Sequence, residues 1–196
     1  MSWQRNTFNM ELELFKFKEE KVAFQCPIFR VYEKTAMTKN GEHELKVYTL
    51  GCSNWVNVVP VTSTGEIVLI EQHRFGADHF VLEVPGGAVD KGEKDTTMAA
   101  LRELEEETGL TSQRILSLTG FYPNPALQNN RVTNFIAFDV QPLEKKVDHN
   151  DPFEEIKVHL VPLKEAMQMA RSGQIAHALS ALALLVAEPY LNQKFS

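Results

Sequence analysis

The chain has 196 residues, 43% of them hydrophobic and 23% charged, which suits one compact domain with a small additional element. Its formal net charge of −6 excludes a broad nucleic-acid-binding surface, which needs clustered Lys and Arg to displace counterions, but still allows one nucleotide in a small pocket. Two isolated cysteines, Cys26 and Cys52, fit a reducing cytosol better than a disulfide scaffold, so a cytoplasmic protein is expected.

The first twenty residues mix acidic and basic side chains and carry no apolar leader pattern. Within residues 11–50, β-rich patches fall at 22–24, 29–32 and 45–50. A turn signal at Asn40-Gly41 makes a hairpin or small sheet the expectation. Apolar, β-branched runs at 55–61 and 67–70, broken by Thr64-Gly65, read as buried strands. Another short strand is expected at 80–84, ending at Pro85-Gly86-Gly87.

The period then changes. Over residues 97–108, Met98, Leu101 and Leu104 recur at helical spacing. Asp95, Thr96 or Thr97 can cap the start, and Gly109 is placed to stop the helix. Strands are expected at 115–122, 132–140 and 156–161, and closing helices at 163–171 and 175–187. The most apolar stretch, 176–187, contains His177 and Ser180 and is too short to span a bilayer. This order predicts an α/β or α+β layer fold: a β-rich extension over 1–51 and a main domain over 52–196.

The chemistry concentrates in residues 86–110. On a helix, Glu103, Glu106 and Glu107 stand at i, i+3 and i+4, so their carboxylates share a face and repel. A divalent cation reverses that sign, and hard carboxylate oxygens suit Mg²⁺ or Mn²⁺. Arg102 is spaced to orient one carboxylate without occupying the metal face. The bland alternative is a solvated acidic helix face. A preceding Gly86-Gly87 turn, able to bring backbone close to a ligand and feed straight into the helix, favours the cation site.

At these residues the chain resembles the Nudix hydrolases, whose signature is G-x5-E-x7-R-E-U-x-E-E-x-G-U, with U a bulky apolar residue. Gly87 to Glu93 matches the first spacing, and Arg102 to Leu110 matches the whole second block. One departure is an eighth residue between Glu93 and Arg102, expected where the loop enters the helix. The resemblance implies a Nudix-type α/β/α sandwich with a mixed central sheet and a small N-terminal antiparallel β element. It also implies two or more Mg²⁺ ions (or Mn²⁺) held by Glu103, Glu106, Glu107 and the carbonyl of Gly87.

Flanking segments resemble the ADP-ribose and nucleoside diphosphate sugar pyrophosphatase branch. Arg74 follows Ile70-Glu71-Gln72-His73 where that branch carries an arginine near the diphosphate, a task suited to a planar fork; a surface arginine is the competing explanation. Glu83 is counted with it on the substrate side. Pro125 stands about where the branch has a characteristic proline. Gln128 and Asn129 supply amides for sugar hydroxyls, although ordinary turn residues explain part of this loop equally well. Glu154 and Glu155 are candidates for the loop glutamate that deprotonates water, against a plain acidic surface loop. Trp55 is a candidate for base stacking, against core packing. A homodimer formed through an exchanged N-terminal sheet is implied by the same resemblance.

The expected reaction is metal-dependent hydrolysis of ADP-ribose or a related nucleoside diphosphate sugar to a nucleoside monophosphate and a sugar phosphate. Rivals are another substrate of the same family (GDP-mannose, a dinucleoside polyphosphate, capped RNA) and a silent, ligand-sensing Nudix module.

Overall fold

The computed structural model describes residues 15–144 and 155–195. The chain divides into two compact units, residues 1–52 with 126–129 and residues 53–125 with 130–196. In the first, β1 (Lys16–Gln25), β2 (Phe29–Met37) and β3 (Glu44–Cys52) form an antiparallel sheet in that order. Gly41, at φ 73°, makes the β2–β3 turn in a backbone region that side chains with a Cβ disfavour. Segment 126–129 runs along β3, with Leu50 N donating to Leu127 O at 2.7 Å and Asn129 N donating to Leu50 O at 3.1 Å.

The second unit is built on a mixed seven-stranded sheet. Its strands are β4 (Trp55–Val61), β5 (Glu66–Arg74), β6 (His79–Glu83), β7 (Gly86–Ala88), β9 (Arg114–Phe121), β10 (Val132–Phe138) and β12 (Ile156–Pro162). The main path is β12-β5-β4-β10-β9; β6 joins β5 and β7 joins β4. β4 and β10 run parallel, and the other pairs are antiparallel. Two short strands, β8 (Leu110–Thr111) and β11 (Gln141–Pro142), pair separately.

Both faces of this sheet are covered, which explains why its central strands read as continuous apolar runs. Val56, Val58 and Val68 pack with Ala99, Ala100 and Leu104 of α1 (Thr96–Thr108). Alternate residues Val59, Val61, Ile67 and Leu69 pack with Ala166, Met167, Leu184 and Leu191 of α2 (Leu163–Ser172) and α3 (Ala178–Phe195). The period-2 alternation of strand side chains thus produces the helix–sheet–helix layers.

Two expectations change. The segment at Gly86-Gly87 is a short strand as well as a turn, because its backbone pairs with Val56 and Asn57 of β4. The last helix starts at Ala178 and continues through Pro189 to Phe195, past the expected end at 187. Pro189 removes one donor, yet fully buried Leu191 anchors the turns beyond it. Ile175 instead belongs to the connection, its N–H bonded to Met169 O at 3.2 Å and its side chain in the core.

Candidate active site

Local chemistry fixes where α1 begins, ends and faces. Asp95 accepts from Thr97 N at 2.9 Å, capping the first turn, and Gly109 ends the helix at φ 68° with its N–H on Glu105 O. The eighth residue after Glu93 leaves the helix unbroken from Thr96 to Thr108. Burial of Ala99, Ala100 and Leu104 sets its rotation, leaving Glu103, Glu106 and Glu107 partly exposed.

Arg102 does more than the spacing suggested. Its Nη1 donates to Glu103 Oε1 at 2.8 Å and to Glu106 Oε2 at 3.0 Å, while Nη2 donates to Ala88 O at 3.0 Å. Asp90 and Glu93 stand 3.8 and 3.7 Å from the same guanidinium. The expectation that Arg102 orients one carboxylate clear of the others is therefore corrected: at i+1 and i+4 it reaches two of the three. Glu107 turns instead to the glycine strand, accepting from Gly86 N at 2.8 Å. Among the described residues, no three acidic, His or Cys side chains form a ready-made metal cage.

The donor set nonetheless fits a hard divalent cation. Burial pushes the Glu107 carboxyl up to about 8, against the pull of the Gly86 N–H and with the push of nearby Glu103 charge. Glu103 is raised as well, again chiefly by burial. A Cβ placed on Gly87 would lie 2.6 Å from the Glu103 carboxyl, so only glycine lets that carboxylate rest against this backbone. All-oxygen donors that resist ionisation when alone are what Mg²⁺ or Mn²⁺ relieves. Such an ion would compete with Arg102 for Glu103 and Glu106.

Beside Gly86 and Gly87 lies a cavity of about 320 Å³, also lined by Trp55, Asn57, Arg74, Glu83 and His177. Arg74 grips Glu83 with two parallel bonds, Nε to Oε1 and Nη2 to Oε2, both 2.7 Å. His177 Nδ1 lies 3.0 Å from Glu83 Oε2 and 2.8 Å from Ser180 Oγ, which accepts from Val84 N at 3.0 Å. Burial alone would raise Glu83, but the bonds from Arg74 and His177 overcome it and hold the carboxyl down to about 2.

The structure thus brings Trp55, Arg74, Glu83 and Gly87 to one cavity whose glycine strand touches Glu103 and Glu107. Pro125 is exposed and does not line it. Gln128 and Asn129 belong to the first unit, where Gln128 bridges to Leu50 and Asn129 Oδ1 accepts from Cys52 N at 3.4 Å. Glu155 is exposed and immediately precedes β12, and Glu154 lies outside the described residues. His177 escaped notice because its partner is 94 residues away in sequence. The one local hint is a histidine interrupting the most apolar stretch of the chain, just ahead of a helix.

Layered fold, glycine strand and carboxylate helix meet at one candidate site. Residues 54–181 match the NUDIX domain model, and the chain belongs to the Nudix family. It is 34% identical to an ADP-ribose pyrophosphatase of Bacillus subtilis over 66% of this chain and 69% of that protein. It is 31% identical to the methanol dehydrogenase activator of Bacillus methanolicus, again over 66% and 69%. A solved ADP compounds hydrolase superposes with a TM-score of 0.80 at 20% identity, covering 94% of this chain and 98% of that one, and so shares the fold.

Proposed function

We propose that this Nudix enzyme hydrolyses the pyrophosphate bond of ADP-ribose or a related nucleoside diphosphate sugar, giving a nucleoside monophosphate and a sugar phosphate. The observation that carries this is the adjacency of Arg74, fixed by Glu83, to the glycine strand on which Glu103 and Glu107 rest. Similarity to an ADP-ribose pyrophosphatase supports the substrate class.

Glu103, Glu106, Glu107 and the Gly87 carbonyl would hold Mg²⁺ or Mn²⁺, more than one ion in our reading. Bound there, the metal supplies charge neutralisation at the phosphoryl oxygens and a more acidic water. Arg74 neutralises the diphosphate through its guanidinium fork. Trp55 gives an aromatic wall to the cavity, and Glu154 or Glu155 takes the proton from the attacking water. Pro125, Gln128 and Asn129 remain candidates for the sugar or base.

A homodimer formed through the N-terminal sheet belongs to the same proposal, supported by exposed Phe17, Val22, Phe24, Leu45 and Tyr48 on β1 and β3. Cytoplasmic residence is supported by the free thiols Cys26 and Cys52. No described helix is long and apolar enough to cross a membrane.

The test is a chromatographic assay with Mg²⁺ against ADP-ribose, GDP-mannose, a dinucleoside polyphosphate and capped RNA. The proposal expects fastest cleavage of the diphosphate sugars. Preference for capped RNA, or binding of every compound with no cleavage, would sink it.

A further inference from the structure

His177 closes one side of the cavity, and its Nδ1 is already committed. Glu83 is buried to 1% exposure and bonded by both arms of the Arg74 fork, so its carboxyl is an ionised acceptor. An acceptor 3.0 Å from Nδ1 requires the proton to sit on that nitrogen. Ser180 Oγ, 2.8 Å from the same nitrogen and already accepting from Val84 N, completes the tether. A neutral imidazole with its proton on Nδ1 offers a lone pair at Nε2. That edge repels phosphate oxygens and suits a ligand N–H or O–H. Arg74, on the same carboxylate, has the opposite preference.

We propose that His177 is a substrate-selecting residue whose Nε2 accepts a hydrogen bond from an amino or hydroxyl group of the bound nucleoside diphosphate sugar. This rests on the substrate class proposed above. Arg74 and His177 then divide the ligand between them, the guanidinium taking the anionic part and the imidazole a neutral donor. Glu83 is the positioning residue for both. Within ADP-ribose a donor can come from the amino group of adenine, a hydroxyl of the adenosine ribose or a hydroxyl of the terminal ribose.

Two substitutions separate the edges of the ring. His177→Asn keeps an N–H near the Nδ1 position, and so keeps the tether to Glu83, but loses the Nε2 edge. His177→Gln places an amide oxygen near the Nε2 position. Titration calorimetry with ADP-ribose in EDTA reads binding, and Mg²⁺ assays separate KM from kcat. We expect Asn to weaken binding about tenfold, the cost of one lost hydrogen bond, with the change in KM rather than kcat. Gln should recover most of that loss.

IDP-ribose, which lacks the amino group, and ADP-ribose analogues deoxygenated on the adenosine ribose or on the terminal ribose identify the donor. Whichever analogue binds wild type and Asn variant equally has lost the group that His177 recognises. If Asn binds ADP-ribose as wild type does, or if none of the analogues closes the gap, the selecting role is overturned while the substrate class stands. If wild type neither binds nor cleaves ADP-ribose or GDP-mannose, the substrate class fails and the role of His177 falls with it.

Discussion

Glu83 and Glu107 both lose hydration on folding, yet their carboxyls stand far apart, at about 2 and about 8. Around Glu83, at the end of β6, two charge-assisted bonds from Arg74 and one from His177 outweigh the cost of burial. Around Glu107, in the last turn of α1, a single backbone N–H from Gly86 does not, and Glu103 adds like charge. The protein therefore supplies a cation, Arg74, for one carboxylate and withholds one from the other. The first arrangement is a finished clamp around an arginine, and the second is, under the proposed function, a ligand for a metal. Arg102, shared between Glu103 and Glu106, stands between these cases as an internal counter-ion that a doubly charged cation can displace.

The largest expected effect lies on the carboxylate helix. Glu106→Gln should lower kcat by about 10³-fold or more with the melting temperature within a few degrees of wild type, since metal-based charge stabilisation is worth several kcal/mol. A steady-state assay beside a thermal melt checks both halves. On the clamp the pattern inverts. Glu83→Gln strips a buried pair of its anion and should cost about 3–5 kcal/mol of stability, read by urea unfolding at neutral pH. A loss below 1 kcal/mol would mean that Arg74, Glu83 and His177 do not form a buried clamp.

Acid separates the same pair of sites. A carboxyl held near 2 against an ordinary 4.5 contributes stability that is fully present above pH 4.5 and is lost as pH falls towards 2. The shift corresponds to about 3 kcal/mol. The stability gap between wild type and Glu83→Gln should therefore shrink between pH 5 and pH 3; a constant gap would assign it to packing instead. The smallest effect is at the other end of α1, where Asp95→Ala should cost about 1 kcal/mol through the lost cap and leave KM for ADP-ribose unchanged.

Much of this comparison was legible in the residues themselves, unevenly. The carboxylate helix was readable because its information is local: Met98, Leu101 and Leu104 give the period, Asp95 and Gly109 the ends, and the glutamates their shared side. The buried strands at 55–61 and 67–70 were readable because both faces are apolar. The clamp was only half readable. Arg74 and Glu83 lie nine residues apart across a hairpin, but His177 reaches Glu83 from the head of α3, and no local pattern links positions so distant. Arg102 had the right spacing for Glu106, yet side-chain spacing alone could not show the same nitrogen taking Glu103. Gln128 and Asn129 offer amide chemistry in sequence, and their backbone contacts with β3 in the first unit are long-range ones that no local pattern shows.

Under the proposed function the α1 carboxylates give up Arg102 to hold a divalent cation. Electron paramagnetic resonance of Mn²⁺ titrated into the protein tests it directly, because only the free ion gives the full aqueous signal. Wild type should suppress that signal at stoichiometric protein, and the Glu103→Gln, Glu106→Gln double variant should leave it intact while remaining folded. Equal suppression by both proteins would put the ion somewhere else and contradict the account.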